Sequence, residues 1–294
     1  MFTQDFLTLY NENSQRITGV PYFIICKEGE LIFEEIYKRL ENEEKEILID
    51  VKEKFPDENL YVPDIFLKDG KLRLKNKIEK IEFGNNSLFF IISADYLQKH
   101  YYRGGTYLIV RTNTYSFELL YNKKVSKYFV ILYCARYRSI VIRQILNDLL
   151  LKVGLRIAPS FLKPKQLKEI KDILKGKLLI ANLEDYPYID LTRKVYMGNG
   201  FDNRKEFVTD TEIGKVSGQM FHFMMDGDEK DNVVTLSNDG LVRFYNNVSY
   251  DYFKKFMQNY ILEHLSISKK LPTALDNYVL DSIFSENNDL DDPL

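Results

Sequence analysis

The stretch KIEKIEFGNNSLFFIIS, residues 77–93, decides the reading of the fold. Apolar residues recur through Phe83, Gly-Asn-Asn-Ser supplies four turn-favouring residues, and an apolar run of strand length follows. That order predicts an antiparallel hairpin with a four-residue loop. Similar strand signals recur outward from it: VPYFIIC at 20–26, then TYLIVRT at 106–112, YSFELLY at 115–121 and KYFVILY at 127–133. Further on come KLLIAN (177–182), KVYM (194–197), QMFHFMM (219–225), and the pair NVVTLS and LVRFYN around Asn238-Asp239-Gly240.

Helical periodicity interrupts these runs. Ile32, Phe33, Ile36, Tyr37 and Leu40 recur on one face of the segment 31–46 while the acids take the other. Residues 41–69 hold ten acids against four lysines and read as an acidic, solvated connection. A short helix is expected over ADYLQKHYY (94–102) and a long one over 139–153. PKQLKEIKDILK (164–175) starts with Pro164 in its first turn, and SYDYFKKFMQNYILEHL (249–265) has Ser249 as N-cap before an apolar face of Phe253, Phe256, Met257, Tyr260 and Ile261. The fold class expected is α+β, antiparallel sheets with flanking helices, in two lobes spanning 1–160 and 161–270, followed by an acidic, disordered tail, 271–294. Ser93-Ala-Asp-Tyr-Leu-Gln-Lys aligns with Ser249-Tyr-Asp-Tyr-Phe-Lys-Lys at the same distance from a turn glycine, Gly84 or Gly240, which raises a duplicated hairpin-helix unit.

With 294 residues, 45% of them hydrophobic and 14% aromatic, the chain has ample material for a core, and global disorder is excluded. Its two cysteines, Cys26 and Cys134, sit in separate apolar runs. They form neither a disulfide framework nor a zinc site, and point to buried thiols in a reducing cytoplasm. No apolar run reaches membrane-spanning length, so no membrane association is expected.

Charge is unevenly placed. The net charge is −2, yet residues 121–180 carry fourteen Lys or Arg against three acids, and residues 276–294 carry six acids and no base. Clustered cations bind a polyanion by releasing its condensed counterions, so this segregation predicts a nucleic-acid surface over 121–177. The residues expected to carry it are Arg136, Tyr137, Arg138, Arg143, Lys163, Lys165, Lys168, Lys171 and Lys175. On the helix at 164–175, Leu167, Ile170 and Leu174 form one stripe and Lys168, Lys171 and Lys175 a second, about 100° away. Arg136 and Arg138 offer forks for phosphate and Tyr137 a ring for a base. Tyr101-Tyr102-Arg103-Gly104-Gly105 offers the same mixture on a loop.

The tail, ending DLDDPL at 289–294, is similar to the C-terminal tips of bacterial single-stranded-DNA-binding proteins, where acids precede a terminal proline and a large apolar residue. That resemblance implies docking of a partner protein. Charge alone suggests that the tail competes for the basic surface.

Catalytic signatures are sparse. His100, His222 and His264 have no metal spacing or triad, and no cofactor is expected. Asp50, Lys52 and Glu53, after the apolar run EILI, resemble the acid-x-lysine arrangement of restriction-like nucleases, which implies a divalent-metal site. Asp226, Asp228 and Asp231 bunch carboxylates without the order of a calcium loop. Gly198-Asn199-Gly200-Phe201-Asp202 resembles the glycine-rich signature of the AbiH abortive-infection family, which carries it in the first strand-to-helix loop near the N-terminus. Here the motif lies two thirds along the chain, and a tight turn after a strand is the better reading. The favoured function is therefore sequence-tolerant, non-catalytic binding of DNA or RNA. A metal-dependent nuclease or antiviral-defence effector and a scaffold for an acidic protein are the alternatives.

Overall fold

A computed structural model of the chain describes residues 17–26, 32–56, 58–84, 86–134, 136–185, 193–225 and 231–267, with backbone alone at 136–141 and 144. In chain order the elements are β1 (Thr18–Cys26), α1 (Phe33–Leu40), β2 (Glu44–Ile49), a helical turn over Val51–Lys54, β3 (Lys71–Gly84), β4 (Ser87–Tyr102), β5 (Gly105–Asn122) and β6 (Lys127–Tyr133). Then follow α2 (Arg136–Leu151), β7 (Leu155–Phe161), α3 (Pro164–Ile173), β8 (Lys177–Glu184), β9 (Arg193–Met197), α4 (Lys205–Ile213), β10 (Lys215–Phe223), β11 (Asn232–Ser237), β12 (Val242–Phe244) and α5 (Tyr250–Phe256). A π-helical turn, Met257–Ile261, extends α5. The fold is mixed helix and strand around one large antiparallel sheet.

β1 joins the sheet together because it is apolar on both faces. One of its edges pairs with β6, from Val20 opposite Leu132 to Phe23 opposite Phe129. Its other edge is shared: Thr18 and Gly19 pair with Arg243 and Val242 of β12, and Tyr22 to Cys26 pair with β7. The sheet order is β9-β8-β10-β11-β12-β1-β6-β5-β4-β3-β2.

Strand alternation then sorts the helices onto opposite faces. Phe23, Phe129 and Ile131 point to one side, where Leu167 and Ile170 of α3 and Phe253 and Phe256 of α5 complete a core. Val20, Tyr22, Val130 and Leu132 point to the other, against Ile36 and Leu40 of α1 and Ile142, Leu146 and Leu149 of α2. The first core takes residues from both sides of position 160, the expected lobe boundary. Phe244 meets Phe253 and Phe256 edge-on, with ring centroids 5.8 and 5.0 Å apart. Each such pair contributes about 0.5–1.5 kcal/mol beyond the area it buries. Gly19 permits this approach: a Cβ there would sit 2.7 Å from the Phe253 ring.

Most expected elements are present, including the Ser249 cap, whose hydroxyl accepts from the Tyr252 amide at 3.2 Å. Four readings change. ADYLQKHYY is not a helix but the second half of β4, paired without interruption to β5 as far as Tyr102 opposite Gly105. Leu97 is buried there with Leu72, Leu74 and Leu108, so cross-strand packing overrides local helical spacing. The stretches beginning at Ser93 and Ser249 thus adopt different structures, strand and helix. TYLIVRT and YSFELLY are one strand, β5, and the acidic connection contains β2, in which Ile47 pairs with Leu74 and Ile49 with Leu72. The first hairpin closes with Gly84 opposite Ser87, leaving two residues between them rather than four.

Candidate nucleic-acid interface

α3 forms as its sequence dictates. The Lys163 amide donates to Gln166 Oε1 at 2.7 Å, a side-chain link across the first turn. Leu167, Ile170 and Leu174 are buried, and Gln219 of β10 donates to the Leu167 carbonyl at 2.5 Å. The lysines divide. Lys163, Lys165, Lys168 and Lys175 are exposed, and Lys165 lies 3.6 Å from Glu169. Lys171 is held 3.3 Å from Asp172 and 3.5 Å from Asp202. Lys163 borders a pocket it shares with Lys215, Glu184, Asp185 and Asp239, too balanced in charge to attract a polyanion.

The arginines of the expected set lie on α2. Arg143 is half-buried on α2, across the sheet from α3, and the side chains of Arg136, Tyr137 and Arg138 lie outside the described residues. On the α2 side, Glu43 of the 41–69 segment pairs with Lys152, while Lys45 of the same segment pairs with Asp148.

A second basic group, mostly outside the predicted set, gathers on the α3 side. The β5–β6 turn and α5 enclose a cleft of about 410 Å³ lined by Lys123, Lys124, Lys254 and Lys255 with Asn86, Asn122, Gln258, Asn259, Tyr121 and a single acid, Asp251. The turn is fixed in place: Asn122 Oδ1 accepts from the Lys124 amide at 2.9 Å, and its Nδ2 donates to the Gln258 carbonyl at 3.3 Å. Behind Lys254 lies Glu118, which is fully buried. Glu118 accepts from Lys254 Nζ at 2.5 Å, Tyr250 at 2.5 Å and Tyr133 at 2.9 Å, and Lys254 also reaches Ser87 Oγ at 3.0 Å. Burial first, and the Glu118 charge second, push both tyrosine hydroxyls far above their usual range, so they remain donors.

This network uses Lys254 to anchor α5. Lys123 and Lys255 have no ion pair among the described residues, and Lys124 is 3.7 Å from Glu263. A run of ionisable side chains connects the cleft to α3. His264 lies 3.7 Å from Glu263 and 3.9 Å from Glu169, the acid beside Lys165. The expected lysines of α3 and the unforeseen lysines of α5 therefore share one side. Glu118 had one signal in the sequence, a lone acid inside the apolar run YSFELLY. Lys254 and Lys255 had only their position flanking the α5 apolar stripe.

The other candidate motifs have local structural tasks. Asp50 caps the turn Val51–Lys54, its Oδ1 accepting from the amides of Lys52 (3.0 Å) and Glu53 (3.2 Å). Gly198 and Gly200 both have positive φ, 119° and 68°, as the turn requires. Phe201 is buried against Tyr196 and Phe207, at 5.7 and 5.1 Å between centroids, and Asp202 reaches Lys171. Cys26 and Cys134 are free and half-buried rather than fully enclosed, and burial raises the Cys26 thiol. Of the acidic loop only Asp231 is described; Asp226, Asp228 and the tail 271–294 lie outside the described residues. Among the described residues no group of three or more His, Cys, Asp or Glu is placed to hold a metal, and no helix is long and apolar enough to cross a membrane. The chain matches no protein-family model and no curated protein.

Proposed function

We propose that this is a cytoplasmic, non-catalytic protein that binds DNA or RNA without sequence preference, through the lysine cleft and the exposed lysines of α3. The observation that carries this reading is the composition of the cleft, four lysines and four amide side chains against one acid. Ammonium groups and amide N–H donors suit phosphate oxygens, and contacts confined to phosphate carry no base information. Lys254 is preorganised by Glu118, and Lys123 and Lys255 remain for the backbone of the ligand. Lys168 and Lys175 extend the cationic track beyond the cleft. Cleavage would rest on Asp50, and that carboxylate is committed to capping a helical turn. In this reading the acidic residues of 276–294 compete for the same lysines.

The test is binding to labelled oligonucleotides across a salt series. Affinity that falls steeply with salt is the expected result, and no binding at low salt contradicts the proposal.

A further inference from the structure

The far ends of β4 and β5 extend beyond the two main cores, and their unbroken register assigns each side chain to a face. Leu97 and Leu108 turn inward to the small distal core. The opposite face is partly exposed and carries Tyr96, His100, Tyr102 and Tyr107. His100 stands opposite Tyr107, and Tyr102 closes the ladder opposite Gly105. Beyond β5, Tyr61 pairs in parallel register with Tyr107, and their rings meet at 5.3 Å between centroids. Tyr61 is 58% exposed and Tyr102 51%. At the tip, Arg103 and Gly104 have φ of 47° and 78°, making a tight two-residue turn where a loop was expected. The Arg103 guanidinium lies 5.0 Å above the Tyr102 ring. Arg111, on the same face as Tyr107 by alternation, is exposed.

We propose that this hairpin face stacks the bases of single-stranded nucleic acid. Three exposed or half-exposed tyrosines in register offer π-surfaces that every base can use, and Arg103 and Arg111 offer cations for the intervening phosphates. A sugar-binding aromatic face would recruit carboxylates to its hydroxyls, yet neither β4 from Tyr96 to Tyr102 nor β5 from Gly105 to Asn113 puts an acid on this side. The site is separate from the lysine cleft. Glu118 and Tyr107 belong to the same strand, but one points to the cleft side of the sheet and the other to the ladder. The inference deepens the nucleic-acid reading by giving it a strand preference, and it rests on that reading.

Fluorescence anisotropy with three labelled 20-mers separates the two: oligo-dT, a duplex, and an abasic single strand with the same phosphates and no bases. The full chain should bind oligo-dT at least about tenfold more tightly than the abasic strand. Tyr61→Ala with Tyr102→Ala should erase that difference while duplex affinity stays within about twofold, and Arg103→Ala should weaken oligo-dT binding on its own. Lys123→Glu with Lys255→Glu should weaken all three probes. Equal wild-type affinity for oligo-dT and abasic strand, or an unchanged preference in the tyrosine variant, overturns the aromatic site and leaves general polyanion binding standing. Binding of none of the probes at low salt overturns both.

Discussion

Lys254 Nζ lies 2.5 Å from Glu118 Oε1, joining α5 to the C-terminal part of β5 across 136 positions of sequence. Glu118 is wholly enclosed and Lys254 nearly so, so removing one charge strands the other. Glu118→Ala should cost about 3–5 kcal/mol in chemical denaturation, the usual loss when a buried pair is broken. Replacing both residues by methionine should cost distinctly less than Glu118→Ala alone. A single-variant loss below about 1 kcal/mol would show that the pair does not hold α5 to the sheet.

Lys194, Tyr196 and Asp210 form a second network, between β9 and α4. Asp210 accepts from Lys194 at 2.5 Å and from Tyr196, and Lys194 also reaches Glu206 at 2.9 Å. The Lys194 hydrogen bond, followed by that of Tyr196, holds the Asp210 carboxyl below its ordinary 3.8. A depressed carboxylate stabilises the fold above its unfolded pKa and loses that contribution as pH falls through the folded value. Lys194 is raised above its ordinary 10.5, chiefly by Asp210, so its contribution is complete below 10.5 and is lost at still higher pH. Asp210→Asn should therefore be less stable than wild type at pH 7, and the difference should shrink steadily below pH 3.8. Denaturation midpoints that differ equally at pH 7 and pH 3 would contradict this assignment.

Asp50 distinguishes binding from cleavage. As an N-cap, its replacement by Ala should lower stability by about 1 kcal/mol, and Asp50→Asn or Asp50→Ser should recover most of that. Incubation with magnesium or manganese should leave single- and double-stranded substrates intact for wild type and variant alike. Cleavage by wild type that Asp50→Ala abolishes would restore the nuclease reading.

The sequence made local features legible and left distant ones hidden. Leu167, Ile170 and Leu174 announced the buried stripe of α3 because helical spacing is a nearest-neighbour property. Ser249 and Pro164 marked helix starts for the same reason. The segment 94–102 misled because Tyr96, Leu97 and Tyr101 fit a helix as well as a strand, and only pairing with β5, through residues up to 19 positions away, decides between them. The basic segment read as one surface because its residues are contiguous in sequence. Strand parity in β1 and β6 places α2 and α3 on opposite faces, and that required the register. Lys123 was visible within the basic run, but its convergence with Lys255 depends on how α5 packs back over β5. GNGFD drew attention as a motif, while Phe201 and Asp202 act as packing and pairing residues for Tyr196 and Lys171.

The most direct test of the account is the salt dependence of duplex binding for wild type and for Lys123→Glu with Lys255→Glu, followed from about 50 to 200 mM salt. Each lysine in contact with a phosphate contributes about one to the slope of log K against log salt, so the double variant should bind more weakly at low salt and with a slope shallower by about 2. A variant that binds with wild-type affinity and an unchanged slope would contradict the claim that this cleft is where the protein meets nucleic acid.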